Sequence, residues 1–180
     1  MKILAFGASN SKTSINVALA NYAANQIINA EVNLLDLNDF EMPIYSIDRE
    51  KEDGLPQLAK DFKQHIKDCD GIIISFAEHN GAYTAAFKNI FDWISRVEKD
   101  IWESKPMFLL ATSPGGRGAS SVLEIAVGKF SRMNLAPITH FSLPNFYENF
   151  EDGKLINTDL KRQLLTNIDA FQKSINSFLQ

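Results

Sequence analysis

Four hydroxyl side chains stand between the first apolar run of the chain and a helix-like segment. Lys2–Phe6 and Gly7 precede this stretch, which contains Ser9, Ser11, Thr13 and Ser14. A dinucleotide fingerprint would need three glycines, and a Walker loop would need a glycine directly before its lysine. The segment has neither pattern. Hydroxyl groups with free N–H groups at a helix N-terminus suit a terminal phosphate monoester, such as that of FMN. The alternative is that Ser14 only caps the helix.

Two further polar segments follow apolar runs. Glu78–Gly81 precedes a helix-like segment, and Thr112–Gly118 is rich in glycine. The first can be a ligand-binding loop or a plain strand–turn–helix connection with Gly81 in a left-handed conformation. The second can contact a ligand or be a flexible loop that opens a helix, with Arg117 as a ligand contact or a solvated charge.

Five apolar runs alternate with five segments of helical periodicity. Strands are predicted over 2–6, 31–37, 71–77, 106–112 and 137–141, and helices over 14–29, 56–68, 84–97, 119–133 and 158–179. Uninterrupted apolar strands between helices indicate a parallel sheet covered on both faces. We therefore predict one domain, 1–180, with a three-layer flavodoxin-like α/β fold and strand order 2-1-3-4-5. Ligands bind at the carboxyl ends of such strands, so the three polar loops are expected to meet.

The run from Glu78 to Trp93 resembles a segment of the NAD(P)H-dependent FMN reductases and their azoreductase, quinone-reductase and chromate-reductase relatives. That family has a Pro-Glu-Tyr-Asn-Gly loop and a Leu-Lys-Asn-x-x-Asp-Trp helix, and the matching residues are Glu78, Asn80, Gly81, Lys88, Asn89, Asp92 and Trp93. The first loop is similar to the family's Gly-Ser-x-Arg-x-x-Ser-x-Asn pattern through Ser9, Ser14 and Asn16. The loop 112–118 resembles the family's Gly-Gly segment.

The resemblance implies roles for these residues. The phosphate of FMN would be held through side chains and N–H groups by Ser9, Ser11, Ser14, Ile15 and Asn16. The isoalloxazine edge would be lined by Glu78, His79, Asn80 and Gly81. The other side of the ring would be closed by Ser113, Pro114, Gly115, Gly116 and Arg117. No catalytic side chain is expected, because the cofactor supplies the hydride chemistry.

The implied function is an NAD(P)H-dependent FMN oxidoreductase. Hydride would pass from NADPH or NADH to the flavin and on to a quinone, an azo compound or free flavin. The chain departs from the family pattern at Ser11, which replaces an arginine, at Ala77, which replaces a proline, and at His79, which replaces a tyrosine. Two alternatives remain open: a flavodoxin-type FMN electron carrier, and a protein that kept the fold without the flavin.

Composition narrows the classes of partner. The net charge is −4 without long runs of one sign, which argues against nucleic-acid binding. No apolar run approaches the ~20 residues of a membrane span. The single cysteine, Cys69, and the absence of a signal-peptide pattern at the start predict a cytoplasmic protein. The three histidines have no ligand spacing, so no metal site is expected, and Cys69 is interpreted as a packing residue.

The segment 84–97 has an apolar face about half its circumference wide, including Phe87, Ile90, Phe91, Trp93 and Ile94. One sheet face could not easily cover so wide a stripe, so we predict a homodimer or homotetramer through this helix. The alternative is a wide core helix.

The segments 39–55 and 143–154 have no clear periodicity and are interpreted as binding or covering loops.

Overall fold

The computed structural model describes residues 1–178. Its main sheet has five parallel strands in the order β2-β1-β3-β6-β7. These strands are β1 Lys2–Ala8, β2 Glu31–Leu35, β3 Gly71–Phe76, β6 Met107–Thr112 and β7 Ile138–Leu143. Counted within the sheet alone, this is the order 2-1-3-4-5, and the predicted flavodoxin-like fold is confirmed.

Helices cover both faces of the sheet. They are α1 Ile15–Ala24, α2 Ile47–Asp53, α3 Gln57–Lys67, α4 Ala85–Val97, α5 Ser120–Met133, α6 Phe146–Asn149 and α7 Thr158–Phe178. One core cluster contains residues of α1 and α7, and the other contains residues of α3, α4 and α5. Every residue of β3 and β6 is buried. The apolar runs therefore occupy the centre of the sheet, as uninterrupted hydrophobic strands should.

Two short hairpins complete the chain. Glu78–His79 (β4) pairs with Ala82–Tyr83 (β5), and Phe150–Glu151 (β8) pairs with Lys154–Leu155 (β9). None of these strands was predicted, because two residues are too few to show an alternating pattern.

Within residues 1–178, none of the helices combines the length and the apolar character that crossing a membrane requires.

The first helix is shorter than predicted. The periodicity favoured 14–29, but α1 ends at Ala24 and Asn25 caps it. The Asn25 amide donates to the carbonyl of Asn21 at 2.8 Å, a local bond that competes with continued helix. The other predicted helices agree within one residue, except that position 179 of the last one lies outside the described residues.

The segment 39–55 contains structure that its sequence did not reveal. A 3₁₀-helix spans Leu37–Phe40, and α2 follows at Ile47–Asp53. Helix α2 has no buried residue, so it has no amphipathic stripe to detect. Its signals are the cap at Ser46, which accepts from the Arg49 N–H at 3.2 Å, and Gly54 at its end, whose φ of +76° favours glycine.

The apolar stripe of α4 is buried within the chain itself. Its members are at most 7% exposed: Phe87, Ile90, Phe91, Trp93 and Ile94. Trp93 packs edge-to-face against Tyr45, with ring centroids 5.0 Å apart. On the other side, Phe91 stacks on Trp102. The sheet face does not cover this stripe alone, because the segment after β2 and the segment before β6 also pack on it. The stripe therefore needs no partner subunit to be buried.

Candidate functional site

A cleft of about 280 Å³ lies at the carboxyl ends of the strands. All three predicted loops contribute to it. The predicted residues that line it are Ser9, Ser11, Ser14, Ile15, Asn16, Glu78, His79, Ser113 and Pro114. Thr13, Ala77, Thr112 and Tyr147 line it as well. The remaining predicted residues, Asn80, Gly81, Gly115, Gly116 and Arg117, lie on the adjoining turns and are not part of its lining.

The first loop presents the start of α1 to the cleft. Ser14 accepts a hydrogen bond from the Val17 N–H at 3.3 Å and caps the helix. A Cβ on Gly7 would lie 2.5 Å from the nitrogen of Val17, so only glycine lets α1 begin this close to β1. The N–H groups of Ile15 and Asn16 belong to the first turn, where no carbonyl of the helix can accept them. They are free to bind an anion.

Asn16 has a structural role that its motif did not indicate. Its side chain is buried and donates to the carbonyl of Thr112 at 3.2 Å. The same amide accepts from the hydroxyl of Ser75 at 2.7 Å and from the Thr112 N–H at 3.2 Å. The side chain therefore joins α1 to β3 and β6, and the backbone N–H remains for a ligand. The lone serine in the run Gly71–Phe76 was the sequence signal for this network.

The second loop is a tight β-hairpin. Asn80 and Gly81 form its turn, and both have positive φ, 54° and 77°. Two successive left-handed residues match a type I′ turn, for which Asn-Gly is strongly preferred. The alternative interpretation, a plain strand–turn–helix connection, required a left-handed Gly81, and Gly81 does have this conformation. The hairpin then enters α4 through Thr84, which caps the helix and donates to the carbonyl of Ala8 at 2.9 Å.

Glu78 connects the second loop to the third. Its Oε2 accepts from the backbone N–H of Val122 at 3.0 Å, in the first turn of α5. The N-cap of α5 is Ala119, a left-handed residue whose side chain cannot cap. Glu78 supplies the missing acceptor, and its Oε1 lies 4.0 Å from the exposed guanidinium of Arg117. The carboxylate was expected to line the edge of the flavin ring; in the structure it lines the cleft and binds the first turn of α5.

The third loop is fixed by the segment that follows β7. The carbonyl of Ser113 accepts from the Phe146 N–H, and that of Gly115 accepts from the Asn145 N–H, both at 3.1 Å. Gly118 has φ +57°, and a Cβ there would lie 2.3 Å from the hydroxyl of Ser142. Tyr147, which is exposed, reaches the cleft from the same segment. The only sequence signal for Tyr147 was that it is an aromatic residue in a long loop.

Comparison with known proteins identifies the family. The family model described as NADPH-dependent FMN reductase matches residues 1–148. The chain belongs to the NADPH-dependent FMN reductase family. The resemblance stated from the loop motifs is therefore confirmed, together with the reductase class and the FMN cofactor of that family.

Relatives agree with this membership. A 2-hydroxy-1,4-benzoquinone reductase of Burkholderia sp. is 27% identical over 137 residues, covering 72% of each chain. The NADH-dependent flavin reductase subunit 2 of Lactobacillus johnsonii is 28% identical over 191 residues, covering 100% of this chain and 96% of the relative. The solved structure of the Paracoccus denitrificans flavoenzyme FerB has a TM-score of 0.77 and 23% identity, over 98% of this chain and 97% of FerB. FerB therefore shares the fold.

The helix part of the FMN reductase motif has a structural explanation. The Asn89 amide accepts from the Tyr45 N–H and donates to the carbonyl of Met42, both at 2.9 Å. Trp93 donates to the carbonyl of Pro43 at 2.8 Å. These motif residues fasten the segment after β2 to α4. Lys88 and Asp92 pair on the surface at 2.7 Å, one turn apart.

The donor set of the cleft fits an FMN phosphate. Ser9, Ser11, Thr13 and Ser14 present hydroxyls beside the free first-turn N–H groups of α1. A phosphate dianion with three acceptor oxygens suits these donors and the positive end of the helix. Ser11 replaces the family's arginine, so the nearest formal positive charge in this loop is the exposed Lys12. The donors that the cleft offers to a phosphate are thus mainly neutral.

The thiol of Cys69 does not line the cleft. Cys69 is buried, and burial raises the pKa of its thiol to about 11, so it is protonated near neutral pH. Within residues 1–178, no three His, Cys, Asp or Glu side chains are grouped so that they could hold a metal ion.

Proposed function

We propose that this protein is an NAD(P)H-dependent FMN oxidoreductase that passes electrons to a small-molecule acceptor. The supporting observation is the meeting of a phosphate-type donor set, the Glu78–Gly81 hairpin and the fixed loop after β6 in one cleft. This arrangement offers one end for a phosphate and two loops for the edges of a planar ring. It agrees with the family to which the chain belongs.

The residues of the chain bind and orient in this proposal. Ser9, Ser11, Ser14 and the N–H groups of Ile15 and Asn16 hold the phosphate. The two glycine-containing turns, Asn80–Gly81 and Gly115–Gly116, bring backbone N–H groups to the ring edge, where they stabilise negative charge. Ser113, Pro114 and Tyr147 limit the access of water from the other side. Bound FMN supplies the hydride chemistry, accepting from NADH or NADPH and reducing the acceptor.

Quinones and free flavins are the acceptors we propose first. One relative is named as a benzoquinone reductase and another as a flavin reductase. Both acceptors are planar, and a planar molecule can stack on the exposed side of a bound flavin. Azo compounds, which are also planar at the reacting bond, are the third acceptor class.

We further propose a cytoplasmic, single-domain protein that forms a homodimer or homotetramer with α4 in the interface. The Lactobacillus relative is named as a numbered subunit, which supports association with another chain but does not favour identical chains. The buried stripe of α4 no longer supports it, so the outward residues of the helix would have to make the contact. Light scattering coupled to size exclusion tests the assembly, and a monomeric mass at micromolar concentration would contradict it.

The function is tested by cofactor binding followed by turnover. The purified protein should bind FMN at least tenfold more tightly than riboflavin, which lacks the phosphate. The FMN-loaded protein should then oxidise NADH or NADPH in the presence of a quinone. FMN binding without nucleotide oxidation would instead indicate an electron carrier, and failure to bind FMN would reject the proposal.

A further inference from the structure

A groove larger than the cleft adjoins its phosphate-type end. The volume of the groove is about 650 Å³, compared with about 280 Å³ for the cleft. Both are lined by Ser11, Thr13, Ser14 and Ile15 on one side, and both are bordered by the segment that follows β7 on the other. Small-molecule sites typically occupy about 300–1,000 Å³. A ligand that continues past the phosphate position therefore has space to enter the groove.

The groove has an apolar lining in the first turns of α1 and at the end of β2. Ile15 and Ala18 of α1 are half-buried, and Leu34 of β2 is 40% exposed. These side chains leave apolar surface uncovered beside one another. A flat apolar group that covered this surface would be stabilised by the water it displaces.

The opposite wall is held against α1 by aromatic packing. Phe146 and Phe150 stack with ring centroids 4.8 Å apart, and each is at most 8% exposed. Phe150 also meets Tyr22 of α1 edge-to-face at 5.5 Å. The wall therefore has a defined position before any ligand binds, which lowers the entropic cost of binding.

The cation of the first loop belongs to the groove. Lys12 lines the groove but not the cleft, and it stands between Ser11 and Thr13, which line both. The other charged residues of the lining are Asp36 and Asp152. A positive charge at the junction suits a phosphate that has passed beyond the cleft.

Asp36 offers an acceptor to a hydroxyl group. Its Oδ1 accepts from the N–H and the side-chain amide of Asn38, at 2.9 and 2.7 Å. Its Oδ2 has no hydrogen-bond partner within residues 1–178. The end of β2 therefore presents one carboxylate oxygen that a sugar hydroxyl can satisfy.

The replacement of the family's arginine by Ser11 favours a phosphate of lower charge. A phosphate monoester carries about −1.5 to −2 charges near neutral pH, as in FMN. A phosphate inside a diester carries a single negative charge. The neutral hydroxyls and N–H groups of the first loop match the diester better, and Lys12 is then available to a second phosphate.

We propose that the groove binds the adenosine phosphate half of FAD, and that the protein binds FAD more tightly than FMN. This inference rests on the proposed function, because it treats the cleft as the flavin site. The second phosphate of FAD would pass Lys12, the ribose hydroxyls would donate to Asp36, and the adenine would cover the apolar side chains of α1 and β2. The carboxylates of Asp36 and Asp152 disfavour an adenosine with a further phosphate, such as that of NADPH.

The proposal is tested by exchange of the bound flavin. The FMN-loaded protein is equilibrated with increasing concentrations of FAD that has been freed of FMN, and is then filtered. The flavins retained by the protein are separated by chromatography and quantified. FAD should replace FMN with a Kd at least about fivefold lower, a difference near 1 kcal/mol. Equal or weaker binding of FAD would overturn the proposal.

The position of the adenosine is tested with Ala18→Gln, which fills the apolar lining with a neutral side chain that favours helix. It should weaken FAD binding about fivefold or more, whereas the Kd for FMN should stay within about twofold of the parent value. Ala170→Gln is the matched control, because Ala170 is exposed on α7 and does not line the groove. Equal loss of FAD and FMN, or no loss of FAD, would overturn the placement.

The charge is tested with Lys12→Gln. It should weaken FAD binding more than FMN binding, and Lys129→Gln, on an exposed position of α5, is its control. Equal effects of Lys12→Gln on the two flavins would contradict the role given to this lysine.

The adenosine half of a pyridine nucleotide is the competing occupant. The FMN-loaded Ala18→Gln variant should keep the KM of the parent for NADH. A raised KM with unchanged FAD affinity would assign the groove to the electron donor and overturn the proposal. These outcomes leave the reductase intact, whereas protein that binds neither flavin would reject the proposed function itself.

Discussion

The carboxylate of Glu78 accepts a hydrogen bond at 3.0 Å from the backbone N–H of Val122, 44 residues further along the chain. This bond joins the hairpin after β3 to the first turn of α5. Helix α5 begins after the left-handed Ala119 and has no side-chain cap of its own. This side chain therefore links two of the three loops that form the cleft, in addition to the bonds that hold the third loop to the segment after β7.

Two substitutions of Glu78 should distinguish the contribution of its hydrogen bond from the contribution of its charge. Glu78→Gln keeps an acceptor oxygen, so we expect the melting temperature and FMN affinity to stay close to those of the parent. Glu78→Ala leaves the Val122 N–H without its partner, which should cost about 1–2 kcal/mol of stability and weaken FMN binding. Thermal unfolding and FMN fluorescence quenching measure both. If alanine and glutamine variants bind FMN equally well, Glu78 does not position the third loop.

Ser14 should serve both the helix and the phosphate. Ser14→Ala removes the cap of α1, at a cost of about 1 kcal/mol, and one hydroxyl donor to the phosphate. We expect the Kd for FMN to rise by roughly tenfold, the factor that corresponds to about 1.4 kcal/mol. Ser46→Ala is the matched control, because Ser46 caps α2 in the same way away from the cleft. Equal FMN affinity of the two variants would argue against the phosphate site.

Much of this architecture was predictable because it rests on burial patterns. The runs that form β3 and β6 are buried throughout, and such runs are visible in sequence. Helix α2 was not predictable in this way, since none of its residues is buried. Within the site, Asn16 was found by its motif, but its buried bonds to Ser75 and Thr112 depend on contacts 59 and 96 residues away. Local patterns do not record such pairs.

Removing the buried charge of Lys63 should strongly lower the stability of the fold. It is 1% exposed, donates to the carbonyl of Ile101 at 2.8 Å and pairs with Glu103 at 2.5 Å and Glu98 at 3.3 Å. Lys63→Met leaves these acceptors uncompensated, and we expect a loss of about 3–5 kcal/mol in the free energy of unfolding by urea.

The control for this prediction shares one of its partners. Lys67 pairs with the same Glu98 at 2.6 Å but is exposed, so Lys67→Met should have a much smaller effect. Similar losses for the two variants would show that burial does not decide the strength of this cluster.

Tyr83 should make the fold sensitive to alkali. Burial raises the pKa of its phenol from 10.0 to about 12. Between these values the unfolded chain releases the proton while the folded chain keeps it, so stability should fall as pH rises through this window. The hydroxyl is buried without a hydrogen-bond partner in residues 1–178. Tyr83→Phe should therefore reduce the alkaline loss and leave stability at neutral pH unchanged or higher.

Cys69 allows the two alkaline contributions to be separated. Burial raises the pKa of its thiol from 9.0 to about 11, so its contribution is lost over a lower pH range. Urea unfolding of Cys69→Ala at several pH values should show a smaller loss between pH 9 and 11 and an unchanged loss above it. A parallel decline for Tyr83→Phe and the parent protein would contradict the role given to the phenol.

The most direct test of the proposed reductase is reduction of the bound flavin by a pyridine nucleotide. The FMN-loaded protein is mixed anaerobically with NADH or NADPH in a stopped-flow instrument, and flavin absorbance near 450 nm is recorded. We predict that one equivalent of at least one nucleotide bleaches this absorbance, and that a quinone added afterwards restores it. Bound FMN that neither nucleotide reduces, or protein that binds no FMN at all, would contradict the function proposed for this cleft.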